Sequence, residues 1–234
     1  MGLSITSRSE EGPRPGEAGG ATRRGLFLVF EGVEGAGKST QAGLLARWLS
    51  ERGTRHRLSR EPGGTGVGEA IRAVLLSAGG SEMLAETELL LLLAARAAFV
   101  RDVVRPTLEG GAIMIADRYE LSTLAYQGIG RGLGVEAVER LNAFATAGLR
   151  ADVTFILDLP AEEGRARQQG KAADRIEAEE MSFHETVAGA YRSLVRDYPG
   201  AVLVKATAPV DEVHREVREA LTTRFPEHFP ERRG

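Results

Sequence analysis

The sequence predicts an α/β fold in which a parallel β-sheet carries helices on both faces. Short apolar stretches of strand length alternate with longer helical patterns along the chain. The stretch at residues 112–116 is almost continuously apolar, as expected for a strand that is covered on both faces. The chain has 234 residues, 42% of them hydrophobic, which is enough for one domain with a sizeable core.

The elements follow one another in a regular order. Five strands are predicted, at residues 26–30, 57–59, 112–116, 153–157 and 201–204. Helices are predicted to begin near Lys38 and near Pro160, which suits a first helical turn, and to cover residues 68–76, 87–108, 122–127, 135–147, 182–196 and 210–223. The pair Gly110-Gly111 is expected to end the longest of them.

Both ends of the chain differ in composition from the middle. Residues 1–24 are rich in Gly, Pro, Ser and Arg and contain only two large aliphatic residues after the first methionine. Such a segment cannot bury enough surface to order itself, so we expect a flexible leader. It lacks the apolar core of a signal peptide. Residues 225–234 form a proline-interrupted tail whose two phenylalanines could dock on the domain at residues 25–224.

The overall composition excludes several classes of function. A net charge of −3 and a pI near 5.9 argue against nucleic-acid or membrane-surface partners, which select for a basic excess. The longest apolar run, at residues 89–95, is too short to span a bilayer. The chain has no cysteine and its four histidines have no ligand spacing, so we expect no structural metal and a cytoplasmic location.

The stretch at residues 32–40, GVEGAGKST, satisfies the pattern G-x-x-x-x-G-K-[ST]. Its glycines let backbone N–H groups turn toward a phosphate chain, Lys38 reaches the terminal phosphates, and the hydroxyl of Ser39 becomes a ligand of Mg²⁺. An ordinary glycine-rich turn would also join a strand to a helix. The intact spacing between strand and helix favours the phosphate-binding interpretation.

The presence of a phosphate loop favours a functional interpretation of two further charged stretches. Asp117 and Arg118 follow the third strand, at the edge of the sheet where ligands of parallel sheets bind. Alone they could form a surface ion pair, but here they suggest a carboxylate near the water shell of a metal and a guanidinium for a second phosphate group. The polar segment at residues 165–180 could be a solvated loop. Its arginines also suit a lid that closes over phosphates.

From about residue 25 to residue 224 the chain resembles bacterial thymidylate kinases. The motifs that carry the resemblance are GVEGAGKST at 32–40, REPGGT at 60–65, AAR ending at Arg96, DRY at 117–119, STLAYQG at 122–128, DRIE from Asp174 and FHE from Phe183. The resemblance implies a P-loop nucleoside monophosphate kinase-like fold with a five-stranded parallel sheet. It further implies a homodimer that transfers the γ-phosphoryl group of ATP to dTMP with Mg²⁺, giving dTDP and ADP for dTTP synthesis.

The resemblance also implies a role for individual residues. ATP is expected at Gly32, Gly35, Ala36, Gly37, Lys38, Ser39 and Thr40. The dTMP site is expected at Glu34, Arg60, Leu92, Arg96, Arg118, Thr123, Tyr126 and Gln127. The catalytic set is expected to be Lys38, Arg118, Arg165, Arg167, Glu34 and Asp117, with Mg²⁺ held by Ser39 and, through water, by Asp117.

Within the dTMP site the implied roles are specific. Glu34 would recognise the sugar 3′-hydroxyl and orient Arg118, which would bind the phosphate that Arg60 helps to enclose. The thymine edge would be addressed by Arg96, Thr123 and Gln127, and Tyr126 would crowd the 2′ position. The family divides by the location of its catalytic arginine. Ala36 stands where one type has an arginine in the loop, so this chain resembles the lid-arginine type.

One position departs from the family pattern. Leu92 stands where the family usually has a phenylalanine that stacks on thymine, four residues before Arg96 and on the same helix face. Two alternatives follow. One is a nucleoside monophosphate kinase with relaxed base choice, and the other is a catalytically weak nucleotide-binding regulator. Retention of Lys38, Arg118 and the lid arginines argues against the regulator, which has no need of lid charge.

Overall fold

The computed structural model describes residues 24–77, 83–168 and 174–229. Three parts of the predicted organisation lie outside the described residues. They are the leader apart from Arg24, residues 169–173 of the lid, and residues 230–234 of the tail.

The core of the fold is a sheet of five parallel strands, as predicted. The strands are β1 (Phe27–Glu31), β2 (His56–Arg60), β3 (Ile113–Asp117), β4 (Val153–Asp158) and β5 (Ala201–Lys205), arranged in the order β2-β3-β1-β4-β5. Phe30 pairs with Asp117 on one side and with Phe155 on the other. The carboxyl ends of β1 and β3 therefore meet at one edge, where the phosphate loop and the DRY motif begin.

Helices connect the strands. They are α1 (Lys38–Glu51), α2 (Gly66–Leu76), α3 (Ala85–Phe99), α4 (Arg105–Glu109), α5 (Glu120–Thr123), α6 (Val135–Thr146), α7 (Ala161–Arg167), α8 (Met181–Leu194) and α9 (Val210–Arg224). The loop before α1 ends in the left-handed Gly37, so the helix begins at Lys38 as the motif requires. The hydroxyl of Thr65 accepts from the backbone N–H of Gly68 and thereby caps α2.

Two helices differ from the regular α-helices that the sequence predicts. The helix predicted at residues 87–108 is continuous but widens to a π-helix at Val100–Val104, between α3 and α4. Pro106 lies two residues after this π-helix. A proline has no N–H and crowds the preceding turn, which a wider helix relieves. A second π-helix, Leu124–Gly130, extends α5 beyond the predicted end. Hydrophobic periodicity predicts a helix but is too coarse to predict its pitch.

The three central strands of the sheet, β1, β3 and β4, are buried on both faces. Alternate side chains of β1 enter different clusters, with Phe27 and Val29 in the smaller one and Leu28 and Phe30 in the larger one. In the tail, Phe229 is buried and packs against Trp48 at 5.5 Å between ring centroids. Within the described ranges we find no helix that is both long and apolar enough to cross a membrane.

Candidate active site

A cavity of about 500 Å³ opens at the carboxyl ends of β1, β2 and β3. This volume lies within the range of nucleotide-sized ligand sites. The phosphate loop lines one end, which we call the donor end, and side chains from α3, α5 and the second π-helix line the other, which we call the acceptor end. All the residues predicted for dTMP line it, namely Glu34, Arg60, Leu92, Arg96, Arg118, Thr123, Tyr126 and Gln127.

The phosphate loop takes its shape from glycine backbone conformations. Gly32, Gly35 and Gly37 have φ values of 137°, 73° and 94°, a region in which a Cβ atom is strained. The ammonium of Lys38 donates to the carbonyl oxygens of Gly32 at 3.1 Å and Val33 at 2.7 Å. Burial and the nearby charge of Arg118 lower the pKa of Lys38 to about 8. The loop thus holds a lysine whose charge an anion would stabilise.

Two oxygen-bearing side chains that could hold a metal lie beside the loop. The hydroxyl of Ser39 donates a short hydrogen bond to Oδ2 of Asp117, which joins the start of α1 to the end of β3. Among the described residues there is no group of three or more acidic or histidine side chains that could enclose a metal. A hydroxyl and a carboxylate fit Mg²⁺, which is commonly held by few protein oxygens together with phosphates and water.

Arg118 lies between the two ends of the cavity. Its φ of 74° is unusual for a residue with a side chain and directs the chain sharply away from β3. Its guanidinium pairs with Glu34 at 2.5 Å, and the hydroxyl of Tyr126 donates to the other oxygen of Glu34 at 2.6 Å. Burial alone would raise the pKa of Glu34, but Arg118 and Lys38 outweigh it and lower the pKa.

A buried carboxylate supports this turn from beneath. Glu31 accepts from the backbone N–H groups of Tyr119 at 2.8 Å and Ser122 at 3.1 Å. Its other oxygen accepts from the hydroxyls of Ser122 at 2.5 Å and Tyr191 at 2.9 Å. Burial raises the pKa of Glu31. The two backbone bonds fix the residues that follow Arg118 and so help to hold its strained conformation.

Arg96 organises the acceptor end. The guanidinium is 2% exposed and donates to Glu61 at 2.7 Å, to Asn142 at 2.5 Å, to Thr123 at 2.7 Å and to the carbonyl of Tyr119 at 2.9 Å. It therefore ties α3 to the loop after β2, to α5 and to α6. The donor groups of Arg96 are thus engaged within the protein. Its expected contact with a thymine edge stays a prediction.

Gln127 and Leu92 complete this end of the cavity. The side-chain amide nitrogen of Gln127 donates to Oε1 of buried Glu88 at 2.6 Å. Leu92 is half-buried and lines the cavity one helical turn from Arg96. At the rim, Arg60 pairs with Glu69 at 3.2 Å across a largely exposed contact.

The two lid arginines have different surroundings. Arg167 lines the cavity and donates to the carbonyls of Gly35 at 3.4 Å and Ala206 at 3.1 Å. Arg165 instead lines a smaller neighbouring pocket. Helix α7 lies directly on the phosphate loop, since a Cβ atom on Gly164 would come within 2.3 Å of the carbonyl oxygen of Glu34. The lid helix and the loop are therefore in backbone contact.

Comparison with known proteins identifies the family. The family model described as thymidylate kinase matches residues 30–217. The chain belongs to the thymidylate kinase family. A thymidylate kinase of Desulforudis audaxviator is 49% identical over 181 residues, which cover 77% of this chain and 82% of that protein. One of Fervidobacterium nodosum is 43% identical over 192 residues, which cover 82% of this chain and 96% of that protein.

A solved structure extends the comparison to the fold. The crystal structure of a thymidylate kinase from Ehrlichia chaffeensis matches with a TM-score of 0.69 and 30% identity, covering 85% of this chain and 99% of that one. The resemblance drawn from the motifs and the predicted nucleoside monophosphate kinase-like fold are both confirmed. The chain is a kinase by family, and the roles of its individual residues stay predictions.

The sequence alone did not indicate several residues in or around the cavity. The buried carboxyl groups of Glu31, Glu61 and Glu88, the amide of Asn142 and the cavity-lining Arg72 were given no role in the predicted site. Glu31 carries the clearest local signal, because it is an acidic residue that directly follows four buried apolar residues of a strand. The others have no local signal, since their partners are distant in sequence.

Proposed function

We propose that this protein transfers the γ-phosphoryl group of ATP to dTMP, giving ADP and dTDP, and so supplies dTTP synthesis in the cytoplasm. The observation that carries the proposal is a single cavity with a phosphate loop at the donor end and the Arg96 network at the acceptor end. Arg118 lies between them, where the acceptor phosphate must meet the donor. Membership of the thymidylate kinase family supports the same reaction.

The chemistry asks for placement and charge neutralisation rather than a strong base. The nucleophile is an anionic phosphate oxygen of dTMP, so no proton has to be removed from it before it attacks the γ-phosphorus of ATP. The bond from the γ-phosphorus to the β,γ-bridging oxygen breaks as the new bond forms, and ADP carries the leaving oxygen. In-line positioning and stabilisation of the spread negative charge account for most of the rate in such transfers.

Residues of this chain would supply that charge. Lys38 would leave the carbonyls of Gly32 and Val33 for the terminal phosphates of ATP, which attract its ammonium more strongly. Arg118 would hold the dTMP phosphate while Glu34 keeps its guanidinium in place. Arg167 is the lid arginine best placed to approach the transferred group.

Ser39 and, through water, Asp117 would hold Mg²⁺. When bound, the cation would neutralise charge on the β- and γ-phosphates of ATP. The hydrogen bond between the two side chains keeps both oxygens at the mouth of the loop.

Competition between acceptors tests the proposal. Purified protein with ATP and MgCl₂ is given dTMP, dUMP, dCMP and dGMP together, and the diphosphates formed are separated and measured. We expect dTDP to dominate. Equal formation of several diphosphates would favour the relaxed kinase that Leu92 suggests, and nucleotide binding without any product would favour a regulator.

We further propose that the protein is a homodimer joined through α2, α3 and α6. These helices pack side by side, with α3 in the middle. The three helices expose large apolar side chains, and so does Leu84, which directly precedes α3. On the helices these side chains are Val67, Val74, Leu90, Leu141 and Phe144. Exposed apolar groups on adjacent elements are typical of a surface covered by another subunit.

Light scattering after size exclusion tests this interface. We expect the mass of a dimer for the natural chain and of a monomer for the double variant Leu90→Glu/Phe144→Glu. A matched control is Leu203→Glu, which places the same charge on an exposed leucine of the edge strand β5 and should leave the dimer intact. A double variant that keeps the dimer mass would refute this face.

A further inference from the structure

Glu88 is a buried carboxylate that contacts both the acceptor end of the cavity and the lid. It lies in α3 and is 1% exposed. Its Oε1 accepts from the amide nitrogen of Gln127 at 2.6 Å. Its Oε2 accepts from Arg175 at 2.5 Å, and Arg131 approaches both oxygens at 3.3 Å. One side chain thus joins α3 to the second π-helix and to the segment that follows α7.

These contacts decide which way the amide of Gln127 points. Burial alone would raise the pKa of Glu88, but the bonds from Gln127 and Arg175 and the charge of Arg131 outweigh it and lower the pKa. An ionised carboxylate has no hydrogen to donate, so only the nitrogen of the amide can face it. The amide oxygen of Gln127 has no donor among the described residues, and Gln127 lines the cavity.

We propose that Glu88 is a positioning residue for base selection, because it fixes the amide of Gln127 with its oxygen available to the nucleobase. The inference deepens the proposed function and rests on it. An oxygen at this position accepts a hydrogen bond and cannot donate one. The site therefore selects a base that offers a donor there, such as the N3–H of a thymine or uracil ring.

The same geometry rejects cytosine. N3 of cytosine carries no hydrogen and is an acceptor, so it would meet the amide oxygen of Gln127 as a second acceptor. Two acceptors facing each other leave both without a partner, and polar groups left unpaired in a closed site carry a large penalty in discrimination. Base choice would thus depend on a carboxylate that itself need not touch the base.

The variant Glu88→Gln tests the orientation directly. Arg175 and Arg131 both need an acceptor, so the oxygen of the new amide should stay on their side and its nitrogen should face Gln127. Gln127 would then turn its oxygen toward residue 88 and its nitrogen toward the base. We expect the ratio of kcat/KM for dTMP over dCMP to fall at least about tenfold, which corresponds to about 1.4 kcal/mol.

Two comparisons separate this role from a merely structural one. The ratio of dTMP to dUMP should stay unchanged, because both bases carry N3–H. The matched variant Arg175→Gln removes the lid contact but leaves the carboxylate, so it should lower kcat for every acceptor and leave the dTMP to dCMP ratio unchanged. An active Glu88→Gln protein with the natural ratio would overturn the proposal, as would an equal change of the ratio in Arg175→Gln.

A measurement on the natural protein keeps the proposal testable if Glu88→Gln fails to fold. Titration calorimetry compares dTMP with its N3-methyl derivative, which has no hydrogen at N3. We expect the derivative to bind at least about tenfold more weakly, and equal binding would overturn the assigned orientation. Failure of the proposed function has a different signature, since the natural protein would then form no dTDP from ATP and dTMP.

Discussion

The two ends of the cavity are built in opposite ways. At the donor end, Lys38 and Arg167 hold backbone carbonyls, which are neutral partners that a polyphosphate can replace. At the acceptor end, Arg96 and Glu88 are nearly inaccessible, and each has side chains of opposite charge and a side-chain amide among its partners. One end keeps its cations available, and the other end uses its charges to hold the wall together.

This difference separates catalysis from stability. At the donor end, Lys38 and Arg167 have neutral partners that an arriving polyphosphate can replace. A wall that selects a base must instead be arranged before the base arrives. Substitutions at the donor end should therefore remove activity and leave the fold intact. Substitutions at the acceptor end should first lower the free energy of unfolding.

The largest expected effect on activity is that of Lys38→Ala. We expect dTDP formation to fall by at least about 10³-fold, because a main positive charge on the transferring phosphoryl group is lost. Stability at pH 7 should not fall, since the lowered pKa of Lys38 means that folding disfavours its charged form. An assay that couples ADP formation from ATP and dTMP to an optical signal measures the activity, and thermal unfolding followed by circular dichroism measures the stability. Turnover near that of the natural protein would contradict the assignment of the phosphate loop.

The next effect is the contrast between the two lid arginines. We expect Arg167→Ala to lower kcat by about 10³-fold, at the low end of the range for a catalytic arginine, with a smaller change in KM. Arg165→Ala is the matched control on the same helix and should lose much less, because Arg165 lines the neighbouring pocket. Steady-state kinetics of both variants decide. An unchanged kcat in both variants would exclude a catalytic lid. A larger loss of kcat in Arg165→Ala than in Arg167→Ala would mean that the lid helix rotates when the lid closes.

At the acceptor end, Glu61→Ala should mainly reduce stability. It leaves the guanidinium of Arg96 buried without its carboxylate, and breaking a buried ion pair costs about 3–5 kcal/mol. The control is Glu136→Ala, which breaks an ion pair with Arg140 in which both side chains are largely exposed and should change stability very little. Urea unfolding of both proteins gives the two free energies. Equal losses would mean that the Arg96 network does not hold the wall.

The same contrast explains what the sequence could and could not predict. The phosphate loop is local, so nine consecutive residues carry its conformation and its chemistry. Four of the five strands could be recognised because each is a short apolar run, whereas β2 is polar apart from Leu58. In the network around Glu88, Gln127 is 39 positions and Arg175 is 87 positions away from Glu88 in the sequence. No local pattern connects either residue to this carboxylate. Likewise, Arg96 was expected to face the base, and its full set of protein partners depends on how four elements pack.

A smaller effect should be the uptake of protons by Lys38 when ATP binds. Lys38 has a pKa of about 8 in this structure, and the phosphates of ATP should raise it by favouring the ammonium. Between the two pKa values binding takes up protons, so affinity for ATP should fall as the pH rises above about 8. Calorimetry at pH 8 in buffers of different ionisation enthalpy should detect uptake of up to about half a proton. Lys38→Ala should show none, and uptake that persists in that variant would have to come from another group.

The smallest expected effect is that of Leu92→Phe. Leu92 faces the cavity, so a larger ring can extend into space that a ligand shares, and stacking on a base could add about 0.5–1.5 kcal/mol by analogy with aromatic pairs. Overpacking would oppose this by about 1–3 kcal/mol if the surrounding side chains could not adjust. The neighbouring Leu93→Phe is the matched control, because Leu93 belongs to the larger core cluster and has no cavity to enter.

We therefore expect tighter dTMP binding in Leu92→Phe and a loss of stability in Leu93→Phe, measured by calorimetry and by urea unfolding. A clearly weaker dTMP complex in Leu92→Phe would mean that another side chain already covers the face of the base. Phe99 cannot be that side chain while it is fully buried in the smaller cluster on the other face of the sheet. Tyr126 lines the cavity, but its hydroxyl is held by Glu34. The sign of the change thus reports whether this end of the cavity, arranged in advance around Arg96 and Glu88, still has room beside Leu92.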